Sequence, residues 1–195
     1  MSVNRYFILL ATSALLLLGA RALTDSDQIS WDVTTPGQIK AQPVYLPIGS
    51  VRVPATATTT IDTVDAWTEV AGSFDLCPFA RDISNGTNGR ICNASAHEVL
   101  FRVSVTISMD AASNNQLIGA VIARLNDDTS ITIFETCSRQ TQWSGVQSDF
   151  QTTSLQALKP LKPNECFFVY IKNETSAANV EVRNMNIMVT PVEII

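Results

Sequence analysis

Leu100-Phe101-Arg102-Val103-Ser104-Val105-Thr106-Ile107-Ser108-Met109 is the stretch that decides how this chain folds. Phe101, Val103, Val105, Ile107 and Met109 alternate with Arg102, Ser104, Thr106 and Ser108. Successive side chains of an extended strand point to opposite faces, so a period of two predicts one face on a core and one toward water. A helix would need its apolar positions three and four apart.

Segments of the same kind recur on both sides of it. Strands are expected at 50–53, 58–63, 67–74, 100–109, 116–125, 130–135, 150–158, 165–172 and 180–190. Asn126-Asp127-Asp128 reads as a hairpin turn, and residues 159–164, with Pro160 and Pro163, as a turn. Many short strands with no long helical pattern predict an all-β domain over residues 50–195, an antiparallel two-sheet jelly-roll sandwich.

Composition narrows the partners. The 195 residues are 46 % hydrophobic and 16 % charged, enough apolar material for one domain plus an appendage. The net charge is −5 and no Lys/Arg stripe is present, which excludes a phosphate backbone as partner. So few charges on so apolar a chain point to an oligomer that hides part of its surface.

Residues 1–49 precede the sandwich as an extended, partly apolar arm. Arg5 is followed by an apolar run, Tyr6 to Leu18, then by Gly19 and Ala20-Arg21-Ala22. Two readings stand side by side. One is a secretory signal over 1–22, cleaved after Ala22, followed by a linker. The other is a retained anchoring arm whose contacts come from Tyr6, Phe7, Ile8, Leu9, Leu10, Leu15, Leu16, Leu17 and Leu18. The run is short for a membrane span, which needs about 20 apolar residues. Residues 23–50, with Thr35-Pro36-Gly37, Pro43 and Pro47, read as turns and extended linker.

Two strands are apolar on both faces. Phe167, Val169 and Ile171 oppose Phe168 and Tyr170; Leu117, Val121 and Leu125 oppose Ile118, Ala120 and Ile122. One set fills the core. The second needs cover, because the outer face of a sandwich sheet is normally solvated. Sheets of neighbouring copies packed around a symmetry axis would supply it, or else loops or the residue 23–50 arm of the same chain.

The carboxy-terminal third resembles a known group. Leu155-Gln156-Ala157-Leu158, a Pro-containing turn, Asn164-Glu165, the strand Cys166-Phe167-Phe168-Val169-Tyr170-Ile171-Lys172-Asn173 and the closing strand from Val180 are similar to the closing hairpin of trimeric jelly rolls. These are the complement-globular-head and tumour-necrosis-factor-like domains, which recur in tailed-phage head fibres, capsid decoration proteins and fibre tips. Trp67-Thr68-Glu69-Val70-Ala71-Gly72 and the strand from Leu100 resemble the early strands. The turn before the aromatic strand usually reads Gly-Asp in those families and is Asn164-Glu165 here. The resemblance implies a homotrimer with Phe168 or Tyr170 toward the threefold axis; Ile118 and Ile122 are assigned to the same contact.

Catalytic, metal and cofactor residues are not expected. His97 is the single histidine and has no nucleophile signature beside it. Cys77, Cys92, Cys137 and Cys166 are too widely spaced for zinc; they form two disulfides in any of three pairings if the chain is exported, and stay as thiols in a reducing cytoplasm. Asp25-Ser26-Asp27, Asp32 and Asp127-Asp128 read as turn residues rather than calcium ligands. Asn85-Gly86-Thr87, Asn93-Ala94-Ser95 and Asn173-Glu174-Thr175 match the glycosylation triplet, which also arises by chance in a chain rich in Asn, Ser and Thr. Residues 75–96 form the longest irregular stretch, a recognition loop with Asn85, Asn88 and Arg90 as contact residues.

These readings converge on a non-enzymatic virion structural protein of a tailed phage. It is a homotrimer anchored by its arm to other capsid or tail proteins, with a host-surface glycan or receptor as a further partner. The alternative is a secreted jelly-roll lectin or ligand-binding protein with a cleaved signal and disulfides.

Overall fold

The computed structural model describes residues 27–35, 38–53, 55–145 and 149–195, with 27–45 described by backbone alone. The anchoring-arm residues Tyr6 to Leu18 lie outside the described residues. The chain separates into two units, Met1–Leu46 and Pro47–Ile195.

In the first unit, β1 (Asp27–Thr35) and β2 (Gln38–Tyr45) pair as an antiparallel hairpin, with Asp27 opposite Tyr45 and Thr35 opposite Gln38. The sequence reading expected linker here.

The second unit opens with β3 (Gly49–Val53), β4 (Ala57–Thr59), β5 (Thr68–Glu69), β6 (Asp75–Leu76), β7 (Ile83–Asn85) and β8 (Ile91–Asn93). It continues with β9 (Val99–Ala111), β10 (Gln116–Leu125), β11 (Ile131–Ile133), a one-turn helix α1 (Glu135–Ser138), β12 (Gln140–Ser144), β13 (Gln151–Leu161), β14 (Cys166–Asn173) and β15 (Val180–Ile194). Two antiparallel sheets result. The first runs β11-β10-β14-β8-β7, with β12 beside β10 and β5 beside β14; the second runs β13-β9-β15-β3-β6, with β4 beside β15. The described residues are all-β apart from α1 and a 3-10 turn at Thr87–Gly89, and the two-sheet sandwich is the one the alternation predicts.

The alternation of β9 does what it implies: Phe101, Val103, Val105, Ile107 and Met109 all enter the core. They meet Leu155, Val180, Val182, Ile187 and Val189 of their own sheet and Ile118, Ile122, Phe167, Val169 and Ile171 of the other. Phe167 sits at the centre, edge-to-face with Phe101 at 6.5 Å and with Phe134 at 6.4 Å. Burying side chains of this size contributes about 1.5–3 kcal/mol each.

Three local expectations are corrected. Residues 75–96 are not a long irregular loop, because β6, β7 and β8 run through them. Pro160 does not end its strand: β13 continues to Leu161, with Pro160 opposite Leu100. β13 is an edge strand, and the Pro160 carbonyl accepts from Arg124 Nη1 at 3.2 Å, so this residue points its backbone groups away from β9 and its missing N–H breaks no ladder bond. Residues 134–135 leave the strand and enter α1, where the Ser138 amide and hydroxyl both donate to the Phe134 carbonyl.

Candidate functional site

The outer face of the first sheet carries Phe168, Tyr170 and Lys172 of β14. Strand period dictates this: Phe167, Val169 and Ile171 point into the core, so the even-numbered residues point out. Phe168 is nonetheless only 1 % exposed. It stacks edge-to-face with Tyr170 at 5.0 Å, and the Arg90 guanidinium lies over its ring at 5.1 Å. Arg90 is held there by two 2.8 Å hydrogen bonds to the Glu69 carboxylate, and Glu69 is the register partner of Tyr170. The bond to Glu69 raises the Arg90 pKa, and burial, then the Glu69 charge, pushes the Tyr170 phenol up. Aromatic pair, cation–π contact and ion pair thus form one closed patch.

A second charged cluster adjoins it. Lys172 Nζ donates to Asp65 Oδ1, lies 3.4 Å from Glu174 Oε1 and stands over the Trp67 ring at 4.7 Å. Arg139 Nη2 donates to Glu174 Oε1 at 2.6 Å, and Trp67 Nε1 donates to Glu135 Oε1 at 2.5 Å. The hydrogen bond and charge of Lys172 hold the Asp65 carboxyl below its usual value. This cluster ties α1 and the segment before β5 onto β14. Each of its charges has a partner, and such an arrangement orders loops rather than moving protons. The sequence reading missed it, since residues 65, 135, 139 and 172 share no motif.

The residues expected at a subunit contact therefore fall in two places. Ile118 and Ile122 are corrected: both are 0 % exposed and face the core from β10, so they have no surface to offer. Phe168 is corrected too, because Arg90 and Tyr170 cover it within one chain. Tyr170 stays half-buried at the margin of the patch. Arg90, expected in a recognition loop, belongs instead to this patch. Asn85 and Asn88 are exposed, Asn85 at the end of edge strand β7 and Asn88 in the 3-10 turn with φ +56°.

The outer face of the second sheet is different. Rows of register partners cross it: Ser154–Thr106–Asn186–Arg52, Gln156–Ser104–Met188–Ser50 and Leu158–Arg102–Thr190. These side chains are mostly short and uncharged, the exceptions being Arg52 and Arg102. Leu158 is 53 % exposed and Met188 44 %.

The remaining candidates resolve as follows. Cys92 and Cys166 are register partners on β8 and β14 and are joined as a disulfide; Cys77 and Cys137 are free. One bridge forms rather than two. His97 is exposed, and its carbonyl accepts from Asn93 Nδ2 at 2.8 Å. Asp128 accepts from the Ser130 amide at 2.9 Å and from its hydroxyl, which is turn chemistry and lowers its carboxyl pKa. Among the described residues no three His, Cys, Asp or Glu side chains converge as metal ligands, and no helix is long and apolar enough to cross a membrane.

No family model matches the sequence, and no curated protein matches it. Among solved structures, the Eiger TNF of S. frugiperda is similar, with a TM-score of 0.52 at 14 % identity over 76 % of this chain and 95 % of that one. At this identity the likeness is one of fold, a tumour-necrosis-factor-like jelly roll.

Proposed function

We propose that this chain is a non-enzymatic, exported ligand-binding jelly roll that works as a homotrimer. The observation that carries the reading is the outer face of β13-β9-β15-β3. A sheet face meant for water is normally studded with charges, which also discourage association. Here Ser, Thr, Asn and Gln outnumber the two arginines, Arg52 and Arg102, around exposed Leu158 and Met188, and a second copy can cover most of such a face at modest desolvation cost. This replaces the contact through Phe168, Tyr170, Ile118 and Ile122. The similar tumour-necrosis-factor-like fold supports self-association as the mode of action.

The Cys92–Cys166 bond favours the exported setting, because disulfides persist in oxidising compartments. The tailed-phage virion expected from the sequence draws on the apolar arm, and a particle protein assembled in a reducing cytoplasm would keep these two cysteines as thiols.

Sedimentation of the full-length product tests the oligomer. The wild type should run at three times the chain mass, and the double variant Leu158→Glu/Met188→Glu as a single folded chain. A monomeric wild type, or a variant that remains trimeric, defeats the proposal. Mass spectrometry of the amino-terminal peptide tests the setting: a start at Leu23 agrees with export, a start at Met1 does not.

A further inference from the structure

We propose that Asn85 is the N-glycan acceptor of the folded protein and that Asn93 and Asn173, which match the same triplet, are not. The inference rests on the exported setting above. It follows from counting amide hydrogens. Asn93 is 0 % exposed and spends both Nδ2 hydrogens, one on the His97 carbonyl at 2.8 Å and one on the Leu161 carbonyl at 2.9 Å. Its Oδ1 accepts from the Ser95 amide and hydroxyl. Asn173 is equally buried and equally spent: Nδ2 donates to Gln116 Oε1 and the Ala178 carbonyl, and Oδ1 accepts from the Thr175 and Ser176 amides. At both positions the Ser or Thr two residues on serves an Asx turn, which accounts for the triplet without a sugar.

Asn85 is built otherwise. It is exposed, it closes the edge strand β7, and Gly86 and an exposed Thr87 follow. Its Nδ2 makes a single hydrogen bond, 3.0 Å to the Phe74 carbonyl. Glycosylation replaces one amide hydrogen and leaves one. Asn85 can carry a sugar and keep that bond; Asn93 and Asn173 would each lose a buried one. In the transfer, C1 of the first sugar leaves the pyrophosphate of a lipid-linked oligosaccharide and bonds Nδ2 of Asn85. The amide gives up one proton to a base of the transferase, and the lipid pyrophosphate departs. β7 lies in the first sheet, so the glycan is off the face proposed for trimer contact.

The test is secretion of the full chain, with its own amino terminus, from a cultured eukaryotic cell. Enzymatic deglycosylation in heavy-oxygen water then converts each glycosylated Asn to labelled Asp, which peptide mass spectrometry locates. The label should appear at position 85 and be absent at 93 and 173. Asn85→Gln should lose the label completely and still be secreted as a trimer. A secreted chain with bare Asn85, or with a glycan at Asn93 or Asn173, overturns the assignment while leaving export intact. A chain retained in the cell, beginning at Met1 with thiols at Cys92 and Cys166, overturns the exported setting and the glycan together.

Discussion

Asn93 and Asn173 act as fasteners, Asn93 between strands that share no ladder and Asn173 at the end of the β10–β14 ladder. Asn93 joins β8 to the end of β13 through the Leu161 carbonyl, and Asn173 joins β14 to the start of β10 through Gln116. Replacing either by Ala leaves buried acceptors without donors, a loss of about 2–4 kcal/mol. Urea midpoints should show it, with Asn85→Ala within about 0.5 kcal/mol of wild type as the exposed control. Read from sequence these positions were glycosylation triplets, because one three-residue pattern serves both an Asx turn and a sugar acceptor. Asn164-Glu165 was legible as a departure from Gly-Asp, and the structure gives its physical sense. Asn164 takes the left-handed φ of +68° that Gly would take, and the Glu165 carboxylate still accepts from the Lys162 amide at 2.8 Å. Asp65 gives a pH signature. Lys172 lowers its folded pKa, so its contribution is present above the ordinary value of 3.8 and is lost as pH falls through the folded value. Asp65→Asn should therefore be less stable than wild type at pH 7, with the gap closing on acidification in parallel denaturation curves.

β9 was legible because its period of two stands clear over many residues, and β10 and β14 because each is a continuous apolar run bounded by turn signals; the expected 116–125 and the observed β10 coincide. Of the strand expected at 67–74 only β5 forms, and β6 to β8 were not legible, since two or three residues cannot establish a period. Those short elements assemble the closed patch. β5 and β8 pair with the same edge of β14, one after the other, and so bring Glu69 to Arg90 across twenty-one positions of chain. Sequence spacing carries no trace of that meeting; only the shared neighbour creates it. The same pairing aligns Cys92 with Cys166, 74 residues apart. Closing a loop of that length is worth about 4 kcal/mol on the chain-entropy account. Cys92→Ala/Cys166→Ala should lower unfolding stability by about that amount, read from denaturant melts without reductant. A null effect would mean that the ladder alone holds β8.

A trimer links stability to concentration, because only the folded state binds its neighbours. The Tm of the wild type should climb as protein concentration rises, and that of Leu158→Glu/Met188→Glu should stay level. The proposed trimer was legible only as a surplus of apolar residues; the choice of sheet for it required the register, since the aromatic β14 is roofed by its own chain. A sandwich also has open borders, where unpaired amides invite a foreign strand. At the rim of β13 the proline at 160 presents no amide, and Arg124 already occupies its carbonyl. A strand arriving at that residue finds no amide and an occupied carbonyl, which blunts this part of the edge. In the trimer proposed above, that blunted rim works with the face contact and against growth along the sheet.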